Sequence, residues 1–154
     1  MKPFIISLLA VAPANLTQRG GSALTIEDKR SRFDGDALEL NVSIETGQAR
    51  EFGLAVYCDP DGKGGFPIAV EPGTKTLRLG AVKVPFELKA GERVELRVFL
   101  DKNLIEVFAN DRQAVVASHK YAPQNLGISL FSVGGEIVAT KASRWKIKST
   151  YLGQ

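Results

Sequence analysis

The 154-residue sequence predicts an all-β fold, a two-sheet antiparallel β-sandwich of the concanavalin-like jelly-roll type. Short runs of Val, Ile, Leu and Phe recur along the chain and are separated by Gly, Pro, Asn and Asp, which is the pattern of strands joined by turns. No window has the apolar period of an amphipathic helix. Roughly ten short strands at such spacing indicate a sandwich or a barrel.

Turn residues separate the predicted strands, most clearly at Asp34-Gly35-Asp36, Asp59-Pro60-Asp61-Gly62 and Gly134-Gly135. The second of these turns begins like a calcium loop but lacks the later oxygen ligands, so we interpret it as a solvated turn. We predict strands at Ala23–Asp28, Ala37–Glu45, Arg50–Cys58, Pro67–Glu71, Lys75–Gly80, Pro85–Leu88, Arg93–Asp101, Leu104–Asn110, Gln113–His119, Leu126–Val133 and Glu136–Ser149.

The N-terminal segment admits two interpretations. An apolar run lies within Met1–Ala12, and Ala10-Val11-Ala12 resembles a signal-peptidase site. We favour an ordered first strand; a cleaved signal would instead imply a secreted or periplasmic protein. Thr17–Ser22 then joins this segment to the rest of the chain, which gives an N-terminal segment, 1–16, and a sandwich module, 17–154.

Composition excludes several classes of function. The net charge is only +3 and basic residues are interspersed with acidic ones, so the basic stripe of a nucleic-acid-binding protein is missing. No apolar run approaches the ~20 residues that cross a bilayer. One His and one Cys cannot complete a structural zinc site, so we expect neither metal nor cofactor. The lone Cys58 is interpreted as a small buried hydrophobic residue. The sequence does not decide whether the protein forms a homo-oligomer.

The most informative stretch is Glu92–Asn110, where apolar and polar residues alternate around a two-residue turn, Lys102-Asn103. This spacing predicts a hairpin in which Val98 faces Val107 on the core side. The same register places a mixed set of aromatic, aliphatic and charged side chains on the outer face: Arg97, Phe99, Leu104, Glu106 and Phe108. Such a strip is expected to be covered by a partner domain, by Phe4–Val11 or another part of the chain, or by a sugar.

Five motifs in the second half of the chain carry a resemblance. They are Leu96–Asp101, Ile105–Asp111, Gly127–Phe131, the turn Gly134-Gly135, and Trp145–Ile147. In this order and spacing they resemble the C-terminal sandwich of glycoside hydrolase family 32, the invertase and levanase group of β-fructosidases. The resemblance implies the same fold for roughly residues 22–149.

The resemblance also implies that the chemistry lies elsewhere. The enzymes of this family carry their catalytic carboxylates on a five-bladed propeller that precedes the sandwich, and retaining hydrolysis needs two carboxylates about 5 Å apart. The family's R-D-P and E-C motifs are missing here, and the single D-P, Asp59-Pro60, lies in a turn. Ser118 and His119 are adjacent in a predicted strand and therefore point to opposite faces. We expect no catalytic residue and no enzymatic activity of the chain alone.

The predicted function is a non-catalytic module that stabilises or docks on a catalytic propeller; the alternative is a stand-alone module that binds fructan or another carbohydrate. Trp145 is interpreted as an anchor in the core or at its edge, with a sugar-stacking platform as the alternative. The candidate residues for contact with a domain or a ligand are Arg97, Phe99, Glu106, Phe108, Asn110 and Asp111.

Overall fold

The computed structural model describes residues 16–18, 24–25, 37–60, 63–120 and 122–147, with the backbone alone for 16–18, 24–25 and 146. Every regular element in these ranges is a strand, and all paired strands run antiparallel. The strands are β1 Leu16–Gln18, β2 Leu24–Thr25, β3 Ala37–Thr46, β4 Glu51–Cys58, β5 Phe66–Glu71, β6 Thr76–Leu79, β7 Val82–Pro85, β8 Val94–Asp101, β9 Leu104–Ala109, β10 Gln113–Ser118, β11 Gly127–Val133 and β12 Ile137–Lys146.

The strands form two sheets. Sheet 1 has the order β1-β12-β3-β8-β9-β10, and sheet 2 has the order β2-β11-β4-β5-β6-β7. The chain passes between the sheets repeatedly, so that neighbours in sheet 1 come from distant parts of the sequence. The predicted β-sandwich is confirmed.

The core lies between the two sheets, because alternate residues of each strand point inward. On β3 the inward residues are aliphatic and the outward ones polar, which fixes the face that this strand buries. Each fully buried large apolar side chain contributes about 1.5–3 kcal/mol relative to an exposed one. Fully buried residues from both sheets include Ile44, Phe52, Ile68, Leu79, Ile105 and Val107.

The predicted hairpin is confirmed in its register. Strands β8 and β9 pair with Val98 opposite Val107 and Arg97 opposite Phe108, and both valines are fully buried. Lys102 opens the turn with a left-handed backbone, at φ 50°. The apolar alternation therefore specified which face of this hairpin is buried.

One predicted strand was misplaced. The strand expected at Pro85–Leu88 is instead Val82–Pro85, which pairs with β6 directly after a tight turn at Gly80. Gly80 permits this turn with φ 57°. Phe86 is buried although it follows the strand, so an apolar residue that packs from a loop was mistaken for part of a strand.

At the N-terminus, β1 lies partly in the segment that was expected to join two regions, and it pairs with β12. The apolar run within Met1–Ala12 lies outside the described residues. Across the described ranges there is no helix of the length and apolarity that a membrane span requires, and no group of three or more His, Cys, Asp or Glu side chains that could hold a metal ion.

Cys58 ends strand β4 inside the sandwich and is completely buried. Its Sγ lies 3.4 Å from the carbonyl oxygen of Ala55 and 3.7 Å from that of Gly64. Burial raises the pKa of the Cys58 thiol. The interpretation of Cys58 as a small buried residue is confirmed.

Candidate functional site

The outer face of sheet 1 brings together most of the sequence-predicted site residues. The pairing of β12, β3, β8, β9 and β10 arranges the outward side chains in rows across the sheet. One row contains Trp145, Glu39, Phe99, Glu106 and Val116, and the next contains Ser143, Asn41, Arg97, Phe108 and Ala114.

Four apolar residues form an outer strip on this face: Phe99, Leu104, Phe108 and Val116. The two phenylalanine rings meet edge to face with their centroids 6.0 Å apart, and both side chains are half-buried. Leu104 is 47% exposed and Val116 is 50% exposed. The described residues do not cover Leu104, and the segment Phe4–Val11, one of the covers considered, lies outside them. A covered strip therefore stays a prediction.

Arg97 is held on this face by two contacts. Its Nε donates a hydrogen bond of 2.6 Å to Oε1 of Glu39, the partner residue on β3. Its guanidinium carbon lies 5.0 Å from the centroid of the Phe99 ring, a geometry in which the ring attracts the cation. On the next row, the Ser43 hydroxyl donates a hydrogen bond to the Glu95 carboxylate.

A half-open groove of about 380 Å³ lies beside the outer strip. The amide oxygen of Asn41, which lines it, is buried and has no hydrogen-bond partner among the described residues. A buried polar atom without a partner destabilises a protein by about 1–3 kcal/mol. The groove is lined by Glu39, Asn41, Val42, Ser43, Glu95, Leu96, Arg97, Phe108, Asp111 and Lys141.

Asn110 connects the turn after β9 to the loop before β8. Its Oδ1 accepts a hydrogen bond of 2.6 Å from the Glu95 backbone N–H. Its Nδ2 donates to Glu92 Oε1 at 3.0 Å and to the Arg93 carbonyl oxygen at 2.8 Å. The side chain of this candidate thus holds two loops together, whereas the neighbouring candidate Asp111 is exposed and lines the groove.

Glu92 is the second anchor of these loops and was not predicted from the sequence. Its carboxylate accepts hydrogen bonds from both terminal nitrogens of Arg112, from Asn110 and from the Lys89 N–H. These donors, Arg112 first, lower the pKa of Glu92 from 4.5 to about 2. The ionised Glu92 carboxylate therefore stabilises the folded protein fully above pH ~4.5, and this contribution is lost as the pH falls towards 2.

Of the two positions considered for Trp145 as an anchor, in the core or at its edge, the core is excluded. The side chain is 47% exposed and lies on the outer face of sheet 1, opposite Glu39 on β3. Period-two alternation along β12 could have indicated this position, because Trp145 shares a face with Ser143, whereas Ala142, the residue before Ser143, is buried on the core side. The same alternation occurs on β3, where Glu39, Asn41 and Ser43 alternate with four buried aliphatic residues. These three polar residues were also not predicted as site residues.

The fold and the sheet-1 face can now be compared with known proteins. The family model described as glycosyl hydrolases family 32 C terminal matches residues 11–149. The chain belongs to this family. As a relative in sequence, raffinose invertase from Escherichia coli is 36% identical over 63 residues, which are 40% of this chain and 13% of that protein.

Solved structures are similar to this family 32 C-terminal domain in fold. Exo-inulinase from Aspergillus awamori superposes with a TM-score of 0.71 at 16% identity, over 92% of this chain and 30% of that chain. The carbohydrate binding module CBM66 from Bacillus subtilis superposes with a TM-score of 0.60 at 15% identity, over 71% of this chain and 75% of that chain. The chain thus spans only a small part of the two enzymes, and family 32 C-terminal domains are non-catalytic modules of glycosyl hydrolases.

Proposed function

We propose that the chain is a module that docks on the catalytic propeller of a family 32 glycoside hydrolase through the outer strip. The observation that carries this proposal is the exposure of Leu104 and Val116 beside the half-buried pair Phe99 and Phe108. Contiguous apolar surface on a soluble domain usually marks an interaction site. The charged residues Arg97 and Glu106 flank the strip and would give the contact a polar rim.

Docking can be tested without disturbing the core. We expect the double variant Leu104→Ser and Val116→Ser to weaken binding to a family 32 propeller, because both side chains are exposed and would lie in the interface. The propeller is produced without its own C-terminal domain and titrated with the purified chain by calorimetry. A loss of about tenfold or more in affinity is expected, equivalent to ~1.4 kcal/mol.

The chain offers a matched control for this experiment. Val82 and Val133 belong to sheet 2 and are 42% and 41% exposed. Their double replacement by serine should leave propeller binding unchanged. Equal loss in both double variants, or binding that is insensitive to both, would contradict docking through the outer strip.

The proposal also includes the absence of hydrolysis. The purified chain should release no fructose from sucrose, inulin or levan, because the sequence lacks the family's R-D-P and E-C motifs and retaining hydrolysis needs two carboxylates about 5 Å apart. Reducing-sugar release is measured against a buffer control. Turnover above that control that disappears after a single substitution in this chain would refute this part of the proposal.

A second candidate function is carbohydrate binding. It is favoured by the groove on sheet 1 and by the fold similarity to the carbohydrate binding module CBM66. The outer strip lies towards the edge strand β10 and the groove extends towards β3 and β12, but Phe108 and Arg97 belong to both surfaces. A docked propeller and a bound carbohydrate would therefore compete for these two side chains. Fructans are the first ligands to test, given the family to which the chain belongs.

A further inference from the structure

The groove on sheet 1 has the composition of a site for a neutral sugar. We infer that it binds a single uncharged saccharide unit, with Arg97 and Asn41 supplying the hydrogen bonds and Trp145 packing at its margin. The inference deepens the second candidate function and rests on it, since it names where on the domain a carbohydrate would be held. It does not depend on docking to a propeller.

The charges around the groove favour an uncharged ligand. Two cationic side chains, Arg97 and Lys141, are accompanied by three carboxylates, those of Glu39, Glu95 and Asp111. These five side chains sum to a net charge of −1, which disfavours a phosphate or a carboxylate. A divalent cation would need a cluster of acidic or imidazole ligands, and the described residues contain none. Hydroxyl groups suit this mixture because each can donate and accept.

Hydrogen-bonding capacity remains free at the centre of the groove. The Nε of Arg97 is used by Glu39, while its two terminal nitrogens have no hydrogen-bond partner among the described residues. Asn41 lies beside Arg97 in the same row. Its amide oxygen is buried and has no hydrogen-bond partner among the residues that the structure describes. The fork of Arg97 donors can engage neighbouring hydroxyl groups of one ring, and Asn41 on the adjacent strand can add an acceptor when its side chain turns towards the groove.

Aromatic side chains lie on two sides of these polar groups. Phe108 lines the groove from β9, and Trp145 stands on β12 as the cross-strand partner of Glu39. The exposed Trp145 ring offers an apolar face with a polar N–H at its edge, which suits the C–H face of a sugar ring. The volume of about 380 Å³ falls near the lower end of the ~300–1,000 Å³ range of small-molecule sites.

Trp145 also provides a local probe, because it is the only tryptophan of the sequence. The purified chain is titrated with sucrose, with short levan and inulin oligosaccharides and with sucrose 6-phosphate, and the Trp145 emission and the heat of binding are recorded. We expect a saturable blue shift with at least one of the neutral saccharides. Sucrose 6-phosphate should bind no more tightly than sucrose.

A matched pair of variants locates the site. Arg97→Lys keeps the charge but loses the planar fork, and it should weaken saccharide binding by about tenfold or more. Arg93→Lys is the control, because Arg93, directly before β8, forms a similar ion pair with Glu45 at 2.7 Å and lies outside the groove lining. Asn41→Ala should also weaken binding, with circular dichroism used to verify the fold.

The outcomes separate the two proposals. A saccharide could bind with measurable heat but leave the Trp145 emission unchanged and be insensitive to Arg97→Lys. That result would place the ligand elsewhere and overturn the inference alone. No heat with any saccharide would overturn both the inference and the second candidate function. Tighter binding of sucrose 6-phosphate than of sucrose would contradict the neutral ligand class.

Discussion

Replacement of Gly53 by alanine should unfold the protein or reduce its stability by about 4 kcal/mol or more, at the severe end of single substitutions. Gly53 lies in β4, at φ 156°, where this strand passes close to β5. An added Cβ would lie 2.0 Å from the carbonyl oxygen of Ile68. That oxygen belongs to the paired strand, so the clash can be relieved only by separating two central strands of sheet 2.

Gly73→Ala is the control for this prediction. A Cβ at Gly73 would have no neighbour within 4 Å, and a surface substitution of this kind usually changes stability by no more than ~0.5 kcal/mol. Urea unfolding, followed by circular dichroism, compares the free energy of unfolding of the unsubstituted protein and of the Gly53→Ala and Gly73→Ala variants. A Gly53→Ala protein with the stability of the Gly73→Ala protein would show that β4 and β5 can move apart easily, contrary to the close approach described above.

Asn110→Ala should destabilise the protein by about 2.5–4 kcal/mol, the lower part of the sum of the contributions below, because the Asn110 side chain is only half-buried. The substitution removes three hydrogen bonds, each with a net contribution of ~0.5–1.5 kcal/mol, and it places alanine at φ 49°, a left-handed backbone that costs about 1–2 kcal/mol. Asn110→Gly relieves the backbone and loses only the hydrogen bonds, so it should be less harmful than alanine. The ordering is measured by denaturant unfolding.

Asp111→Gly provides the comparison for Asn110→Gly. Asp111 also has a left-handed backbone, at φ 52°, but its exposed side chain makes no hydrogen bond with the described residues. Its replacement by glycine should therefore be neutral. If Asn110→Gly were equally neutral, the hydrogen bonds of Asn110 to Glu92, Arg93 and Glu95 would contribute nothing measurable, and Asn110 would become available again as a ligand contact.

The hairpin could be predicted from the sequence because its determinants are local. Strict alternation from Val94 to Asp101 and a two-residue turn leave a single register that buries the aliphatic side chains of β8 on one face together with Ile105 and Val107. Strand β7 carries no such signal, since Val82–Pro85 is mostly exposed and only four residues long. The strand was therefore predicted too far along the chain, over the apolar residues that follow β7, including Phe86.

The groove could not be predicted because it depends on long-range pairing. Asn41 lies beside Arg97 only because β3 is inserted between β8 and β12, and these three strands come from distant parts of the chain. The sequence pattern gives the outward face of β3 but does not identify its neighbours. Arg97 was singled out from the hairpin alone, whereas Glu39 and Asn41 acquire their role from the sheet order.

The burial of Cys58 has a practical consequence for spectroscopy. The sequence contains no other cysteine, and this one is fully enclosed with a raised pKa. Since the thiolate is the reactive species, a maleimide or nitroxide reagent near neutral pH should modify a cysteine introduced on the surface well before Cys58. Labels could then be attached singly to either sheet without first mutating the native thiol, which would allow the orientation of the sandwich on a larger assembly to be measured by distance methods.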